Sequence, residues 1–359
     1  MNNRLVRLRA VIRESKLDGL MIWKLVNVRY LSGFTGTEGS LLITEKDALF
    51  FSDSRYTIQA EEQVRPNGFE VVTFKDKIKE LSAKAKDLGV RTLGFEDEEI
   101  SVATHGRLAK AFTPISLVPA GQPVERLRIV KDREEVALIR EAVRVQEEAM
   151  EAVLPRIVPG ATENDIAFAI EVEMRRRGAS GVSFETIVGS GPRGAMPHGV
   201  ASDKKIENGE MVVLDWGCFR QGYCSDQTLT VVVGKPRDPE ARKVFDIVRE
   251  AQAASLAALK PGAALVEVDR AGRDIIRQAG YGDFFGHGTG HALGLEIHEE
   301  PRANTVSTAT ATPGLVITVE PGIYLPGRFG VRLEDIALVT EQGIELLTTM
   351  HKNWRSSIR

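Results

Sequence analysis

The sequence predicts an α/β segment over residues 1–125, followed over residues 126–359 by an α+β domain with an internal pseudo-twofold duplication and a curved, mostly antiparallel sheet. Two observations support this prediction. In the first part, apolar runs of strand length alternate with amphipathic segments, which is typical of α/β units. In the second part, two sequence patterns recur at offsets of 102 and 105 residues, so two similar halves are expected.

Composition restricts the function classes. The chain has 359 residues, 43% of them hydrophobic and 27% charged, which is ordinary for folded domains and argues against a disordered or coiled-coil protein. Lys and Arg total 47 and Asp and Glu total 50, so no dominant nucleic-acid surface or basic membrane anchor is expected.

The compartment is also predicted from the sequence. No apolar run approaches the ~18 residues of a membrane span, and charged residues interrupt every short apolar stretch of MNNRLVRLRAVIRESKL. Two cysteines, Cys218 and Cys224, cannot form a disulfide framework. We therefore expect a cytoplasmic protein without nucleic-acid or membrane partners.

Alternating strands and helices are expected in the first part. The N-terminal segment, residues 56–64 and residues 77–88 have helical patterns. This part contains one histidine, His105, and no cluster of acidic residues or histidines with ligand spacing, so we expect a supporting role. The expected strands cover residues 17–23, 40–44, 48–52, 68–74 and 91–96.

A long helix is expected to open the second domain. Apolar residues recur with a period close to 3.6 between Asp132 and Val153, and Pro155 and Pro159 end the pattern. The boundary is expected near residues 121–130, and we set the domains at 1–125 and 126–359.

Two correspondences indicate the duplication. PGATENDIAFAIEVEMRRRGA begins at Pro159, and PGAALVEVDRAGRDIIRQAGY begins 102 residues later at Pro261. Each starts with Pro-Gly, continues as a helix and ends at a glycine suited to a C-cap. GEMVVLDWGCF and GLVITVEPGIY then match at an offset of 105, which aligns Asp215 with Glu320. Chance similarity between glycine-punctuated segments is the alternative explanation.

Four acidic residues are expected to share one interior surface. Asp215 and Glu320 each follow apolar or β-branched residues, so each lies in or at the end of a buried strand. Asp226 follows Asp215 across a glycine-containing turn, and strand alternation places both on one face of a hairpin. Glu334 follows Glu320 across LPGRFG on the next strand, with Arg332 on the same face. Because such carboxylates repel one another strongly, we expect two divalent cations and a hydrolytic site.

Histidines supply further candidates. His291 and His298 lie seven residues apart, directly before the strand of Glu320, and the segment lacks the HExxH pattern of one-helix zinc proteases. Mixed carboxylate and imidazole ligands suit Mn, Co, Fe or Zn better than a cysteine-rich structural zinc. His198 in GAMPHGV is another candidate, whereas His287 is expected to be structural.

These residues together resemble the pita-bread metallopeptidases: aminopeptidase P, prolidase and methionine aminopeptidase, with creatinase as a non-metal relative. The resemblance rests on LDWG, YCSDQT, HGTGHALG, VEPGIY and VRLED in this order. It implies five ligands for two divalent metal ions (Mn, Co or Zn), of which Asp226 and Glu334 bridge both. The five implied metal ligands are Asp215, Asp226, His291, Glu320 and Glu334.

The resemblance also implies a mechanism. Two metals would lower the pKa of a bridging water and form hydroxide, with Glu320 as proton shuttle. His198 and His298 would contact the substrate amide and stabilise the oxyanion, and Arg332 would steady the ligand carboxylates. A homodimer is implied as well.

The N-terminal sequence narrows the substrate class. RYLSGFTGTEGSLLIT and FFSDSRYTIQAEEQ resemble the creatinase-type N-terminal domain of aminopeptidase P and related Xaa-Pro peptidases. The main hypothesis is therefore an Xaa-Pro aminopeptidase acting on proline-containing peptides. Xaa-Pro dipeptidase (prolidase) is the alternative, and a non-catalytic peptide-binding protein is a remote one.

Two departures affect substrate recognition. Leu229 stands where related sequences often have arginine, and Arg302 is the only arginine between Pro301 and Pro313, a segment where related enzymes often carry substrate-binding arginines. The sequence therefore leaves the choice between aminopeptidase and dipeptidase open.

Overall fold

The computed structural model describes residues 3–354, and the chain divides into two compact units, Met1–Arg128 and Ile129–Arg359. The domain boundary after residue 125 stays a prediction; that residue lies within a helix, Pro123–Arg128. Across residues 3–354, no helix has both the length and the apolar character that crossing a membrane requires.

The first unit contains one six-stranded mixed sheet. Its central strand pairs antiparallel with the second strand and parallel with the fifth, and the spatial order is β4-β3-β2-β1-β5-β6. All five expected strands are present. The sixth, at the edge, was not predicted, because its short segment lacks a clear alternation. The strands are β1 Gly19–Ile22, β2 Ser40–Thr44, β3 Ala48–Ser52, β4 Glu70–Thr73, β5 Thr92–Phe95 and β6 Ser116–Pro119.

Helices pack on this sheet through apolar faces. Leu81 and Leu108 are fully buried with Phe51 and Leu93 of the sheet. Three helices were not expected individually, since two are short and the third, residues 102–112, has few large apolar residues. The helices are α1 Asn3–Glu14, α2 Leu25–Ser32, α3 Thr57–Gln63, α4 Lys77–Asp87, α5 Val102–Phe112 and α6 Pro123–Arg128.

Four long helices form the helical layer of the second unit. The first begins with a capping box in which Asp132 accepts from the Glu135 amide and the Glu135 side chain accepts from the Asp132 amide. The two helices expected from the Pro-Gly patterns are both present, and Gly178 and Gly280 follow them with φ of 95° and 88°. The four are α7 Arg133–Val153, α8 Glu163–Arg176, α9 Ala241–Ala258 and α10 Leu265–Gln278.

Antiparallel pairing dominates the strands of the second unit, as the sequence predicted. The five-stranded sheet has the order β14-β13-β15-β18-β19, the two three-stranded sheets have the orders β12-β9-β8 and β11-β10-β7, and β16 pairs with β17. The strands are β7 Gly181–Val182, β8 Ile187–Ser190, β9 Met211–Trp216, β10 Cys218–Arg220, β11 Tyr223–Cys224, β12 Gln227–Val232, β13 Gly290–Ala292, β14 Glu299–Ala303, β15 Val316–Val319, β16 Gly322–Leu325, β17 Phe329–Arg332, β18 Asp335–Thr340 and β19 Gly343–Leu346.

Each half of the second unit contains a hairpin interrupted midway. In the first, the pairing of β9 with β12 stops at Gly217 and resumes between β10 and β11. A side chain at Gly217 would collide with the carbonyl oxygen of Ser225, so this close approach requires glycine. In the second, β15 pairs with β18 and β16 with β17, with a break at residues 320–321 and 333–334.

One expectation about the second hairpin was wrong. Glu334 was expected inside a continuous strand, but it lies in the break between β17 and β18, which belong to different sheets. Asp226, also expected on a strand, lies directly before β12, whereas Glu320 lies directly after β15, at a strand end as the sequence allowed. Period-2 alternation assigns residues to faces but does not reveal where a hairpin bends.

A buried polar cluster in the first unit has an unusual charge state. The carboxylate of Glu96 is 3% exposed and accepts the backbone N–H groups of Trp23 and Lys24 and the Asn27 side-chain amide. Burial nevertheless raises the pKa of Glu96 to about 7, because loss of hydration outweighs these three donors.

The raised pKa of Glu96 predicts a pH dependence of stability. Between the pKa of an exposed glutamate and about 7, the folded state binds more protons than the unfolded state, so stability falls as pH rises. From about pH 4.5 to 8, we expect the free energy of unfolding of the wild type to fall by about 3 kcal/mol more than that of Glu96→Gln. Urea unfolding followed by circular dichroism measures both. Parallel pH profiles would contradict the assigned shift.

Candidate metal centre

One cavity of about 460 Å³ in the second unit collects the residues that the sequence singled out. The β12-β9-β8 sheet and the five-stranded sheet both contribute to its wall, and Glu320 and Glu334 line it from the break in the second hairpin. Eight lining residues match the site predictions: Asp215, Asp226, His291, Glu320, Glu334, His198, His298 and Arg332.

Strand alternation explains why the first hairpin turns its carboxylates into this cavity. Leu214 and Trp216 of β9 pack with α7 and α8 in one apolar cluster, so Asp215 between them faces the opposite side. Thr228 of β12 stands directly across from Asp215. Leu229 packs with the helices instead and is absent from the cavity lining.

The second hairpin repeats this arrangement. Ile317 and Val319 of β15 pack with α10, which places Glu320 on the other face. Glu334 accepts a hydrogen bond of 2.8 Å from the Thr228 hydroxyl, and the Glu334 amide donates to the Thr228 carbonyl oxygen at 3.1 Å. Thr228 therefore joins the two hairpins at the carboxylate cluster.

His291 presents one ring nitrogen to the carboxylates. Its Nδ1 lies 3.1 Å from the Ala292 carbonyl oxygen and donates to it, which leaves the Nε2 lone pair free to bind. Nε2 lies 3.4 Å from Glu320 and 3.6 Å from Asp226. Burial lowers the pKa of His291 to about 3, so its imidazole is neutral at pH 7.

The protein alone leaves this cluster electrostatically unfavourable. Burial, followed by repulsion from Glu334, raises the pKa of Asp226 well above its usual range. Burial, followed by repulsion from Glu320 and Asp215, does the same to the pKa of Glu334, and burial raises the pKa of Glu320 to about 8. Carboxylates in this state gain strongly from a nearby cation.

The donor atoms fit divalent cations. Among residues 3–354, Asp215 Oδ1 and Glu334 Oε1 are buried without a hydrogen-bond partner, which is costly unless another group satisfies them. Ligand atoms of Asp226, His291 and Glu334 lie within 4.8 Å of one another. Carboxylate oxygens and a neutral imidazole are suitable ligands for Mn, Co, Fe or Zn.

Arg332 is the only guanidinium held inside the carboxylate cluster, among the residues that the structure describes. It is 3% exposed and donates to Asp215 Oδ2 at 2.5 Å and to the Thr228 hydroxyl at 3.1 Å. It also donates to the Tyr324 hydroxyl at 2.7 Å and to the Pro197 carbonyl oxygen at 3.1 Å. Arg332 therefore contacts one carboxylate of the cluster, that of Asp215, whereas its role toward metal ligands stays a prediction.

Three other histidines line the cavity. The rings of His291 and His298 meet edge to face with centroids 4.4 Å apart. Burial, followed by the charge of Arg302, lowers the pKa of His298. His198 also lines the cavity, and its side chain is exposed.

The sequence did not anticipate the place of His287. It lines the cavity, and its Nδ1 lies 2.8 Å from the Gly288 carbonyl oxygen. Its Nε2 therefore accepts from the Tyr324 hydroxyl at 2.8 Å, which connects it to Arg332. The four-residue spacing of HGTGH was a signal for this placement.

Comparisons with known proteins agree with this geometry. Residues 137–341 match the model of metallopeptidase family M24, and residues 4–130 match the creatinase/prolidase N-terminal domain. An Xaa-Pro dipeptidase of Pyrococcus furiosus is 39% identical over 353 residues, covering 97% of this chain and 98% of that protein.

Solved structures are similar along the whole chain. An Xaa-Pro dipeptidase from Bacillus anthracis matches with a TM-score of 0.95 and 40% identity, covering 98% of this chain and 99% of that one. An X-Pro aminopeptidase from Thermotoga maritima matches with a TM-score of 0.90 and 38% identity, covering 97% and 99%.

The fold and the donor set thus define a metallopeptidase, a hydrolase. The chain belongs to metallopeptidase family M24 and has the pita-bread fold with a creatinase-type N-terminal domain.

Replacement of Asp226 tests the metal centre directly. We expect Asp226→Asn to lower metal affinity at least about 100-fold, more than the loss of an outer-shell partner. The fold should persist, because the variant removes a buried charge and its repulsion of Glu334. Metal content after loading and gel filtration measures the effect, with the exposed Asp283→Asn as control. Metal content equal to wild type would contradict the assignment.

Proposed function

We propose that this chain hydrolyses the bond before proline in Xaa-Pro peptides, and that Xaa-Pro dipeptides are its main substrates. The observation that carries the proposal is one cavity that collects the carboxylates and the histidines, with Arg302 in its lining near His298. The names of the relatives, an Xaa-Pro dipeptidase in Pyrococcus furiosus and another in Bacillus anthracis, support the same substrate class.

We propose two divalent metal ions, with Mn, Co and Zn as candidates. The donor set supports this number, because a single cation leaves several of the buried carboxylates uncompensated. When bound, such ions polarise the scissile carbonyl and lower the pKa of water. The residues proposed to hold them are Asp215, Asp226, His291, Glu320 and Glu334.

The remaining side chains have distinct proposed roles. Glu320 accepts a proton at its carboxylate, which lines the cavity. His298 is neutral at pH 7, because its pKa is lowered, and one ring N–H can donate to the substrate carbonyl. His198 contacts the substrate from the opposite loop, and Arg332 fixes Asp215 by its short hydrogen bond.

Arg302 favours a dipeptide over a longer chain. Its side chain is about half exposed, at 53%, and lines the cavity, so its guanidinium can bind a carboxylate of the substrate. In a dipeptide the terminal carboxylate directly follows the proline ring, whereas a longer peptide has an uncharged amide there. Glu300 Oε1 lies 3.4 Å from Arg302 Nε, so a substrate carboxylate must compete with Glu300 for the guanidinium.

Xaa-Pro aminopeptidase activity is the second candidate. It is the activity that the N-terminal motifs suggested, and the similarity to the Thermotoga maritima X-Pro aminopeptidase supports it. A non-catalytic binding role is disfavoured, because all five proposed ligands line the cavity. The cytoplasmic location and the homodimer stay predictions.

A pair of substrates distinguishes the two enzymatic candidates. Metal-free protein is reloaded with Mn, Co or Zn and incubated with Ala-Pro and, separately, with Ala-Pro-Ala. Faster cleavage of Ala-Pro supports the dipeptidase proposal, and faster release of alanine from Ala-Pro-Ala supports the aminopeptidase. If every metal leaves both peptides intact, the Xaa-Pro proposal is wrong.

The role of Arg302 leads to a matched mutational prediction. We expect Arg302→Ala to raise KM for Ala-Pro about tenfold or more, because a charge-assisted contact to the carboxylate is lost. KM for Ala-Pro amide should change little, since that peptide has no terminal carboxylate. Arg302→Lys should retain part of the affinity for Ala-Pro, because it keeps the positive charge. An equal change in KM for both peptides would exclude carboxylate recognition by Arg302.

A further inference from the structure

A carboxylate outside the cavity organises the loop that contains His198. Glu163 is the first residue of α8, is fully buried and is absent from the cavity lining. Its Oε1 accepts the Ser190 amide and hydroxyl, both at 2.8 Å. Its Oε2 accepts Arg193 Nε at 2.8 Å, the Ser202 hydroxyl at 2.7 Å and the Ser202 amide at 3.2 Å.

Two of these five donors lie at each end of one loop, and the fifth, on Arg193, lies in its first turn. Residues 190–202 leave β8 at Ser190, form a short 3-10 helix over Gly191–Ala195 and end at Ser202. Beyond its 3-10 helix, the regular pairing of the loop is one bridge between Val200 and Ile187. The Glu163 carboxylate adds hydrogen bonds from both ends of the loop to α8 and so contributes to closing it.

The position of His198 depends on this loop. Its side chain is exposed, and within residues 3–354 its imidazole makes no hydrogen bond to the protein. The backbone beside it is held, because the Pro197 carbonyl oxygen accepts from Arg332. The orientation of His198 toward the cavity is thus set by its backbone rather than by contacts of its ring.

We propose that Glu163 is a positioning residue for the reaction, which acts by closing the 190–202 loop so that His198 faces the substrate. This inference rests on the proposed function for the role of His198. Glu163 can affect the rate although it lies outside the cavity, because displacement of a catalytic group by about 1 Å can lower the rate about 100-fold.

A similar arrangement of a buried carboxylate and an arginine is present in the second half of the unit. Asp269 of α10 is 1% exposed and accepts the Thr289 amide at 3.1 Å and the Thr289 hydroxyl at 2.9 Å. It also pairs with Arg273, which donates to the carbonyl oxygens of Phe285 and His287. In both halves, a buried carboxylate on the helix and an arginine hold the loop of a cavity-lining histidine.

Glu163→Gln disrupts these hydrogen bonds with little change in the shape of the side chain. Whichever way the amide is oriented, its NH2 group faces a backbone N–H, of Ser190 or of Ser202, and that donor loses its acceptor. Ser202→Ala is a milder second variant, because it removes one of the five donors to Glu163, together with the acceptor of the Lys204 amide. Glu96→Gln is the matched control, since it makes the same change at a buried carboxylate in the first unit.

Hydrogen exchange tests the loop independently of activity. By mass spectrometry of the intact metal-loaded protein, we expect peptides that cover residues 190–202 to exchange faster in Glu163→Gln. A smaller increase is expected in Ser202→Ala and none in Glu96→Gln. Unchanged exchange in this segment would overturn the proposal, whatever the enzyme's substrate is.

Kinetics then test whether the loop acts through His198. On Ala-Pro, we expect Glu163→Gln to lower kcat about 10- to 100-fold, with KM and metal content close to wild type. In a His198→Ala background, the same change should have no further effect, because the group that it positions is gone. If the losses in kcat of the two variants multiply in the double variant, Glu163→Gln acts through a general structural effect, and the proposal is overturned. If wild type cleaves no Xaa-Pro peptide, the proposed function fails, and the exchange result still decides whether Glu163 closes the loop.

Discussion

The central constraint in this protein is the burial of four carboxylates in one cavity. Burial of a charged carboxylate without a compensating partner is strongly unfavourable. The raised pKa values of Asp226, Glu320 and Glu334 reflect this unfavourable free energy. Arg332 and the Thr228 hydroxyl offset part of it through short hydrogen bonds to Asp215 and Glu334. Divalent cations complete the compensation, so the same arrangement that disfavours the metal-free fold favours metal binding.

The duplicated architecture makes this arrangement possible. Each half supplies a strand whose outward residues pack on helices while the intervening carboxylate faces the cavity. Each half also interrupts its hairpin near the carboxylates, and the breaks bring residues beside strand ends close together. Helices α8 and α10 do more than pack on the strands, because their residues Glu163 and Asp269 accept hydrogen bonds from the loops of two cavity histidines. Asp215 and His291 thus lie within strands and the other three carboxylates beside strand ends, whereas His198 and His287 lie on loops held by buried carboxylates.

Arg302, the residue proposed to bind the end of the substrate, differs from the carboxylate cluster in exposure. Asp215, Asp226 and Glu334 are buried, but Arg302 lies on β14 opposite His291 and its side chain is about half exposed. Differences at such positions can change which peptide ends are accepted without affecting the chemistry of hydrolysis. This difference in exposure is consistent with the similarity of the chain to both an Xaa-Pro dipeptidase and an X-Pro aminopeptidase.

The sequence by itself determined the family, the duplication, the order of the long helices and the eight cavity residues that its motifs contain. These are local properties: periodicity places Asp215 on a face, and a Pro-Gly pattern marks the start of α8. Only the tertiary structure decided where the hairpins break, that Leu229 faces the helices, that His287 and Arg302 line the cavity, and that Glu163 holds the loop of His198. Those features depend on contacts between residues far apart in the chain, such as Thr228 with Glu334 and Arg332 with Asp215, which spacing along one strand does not encode.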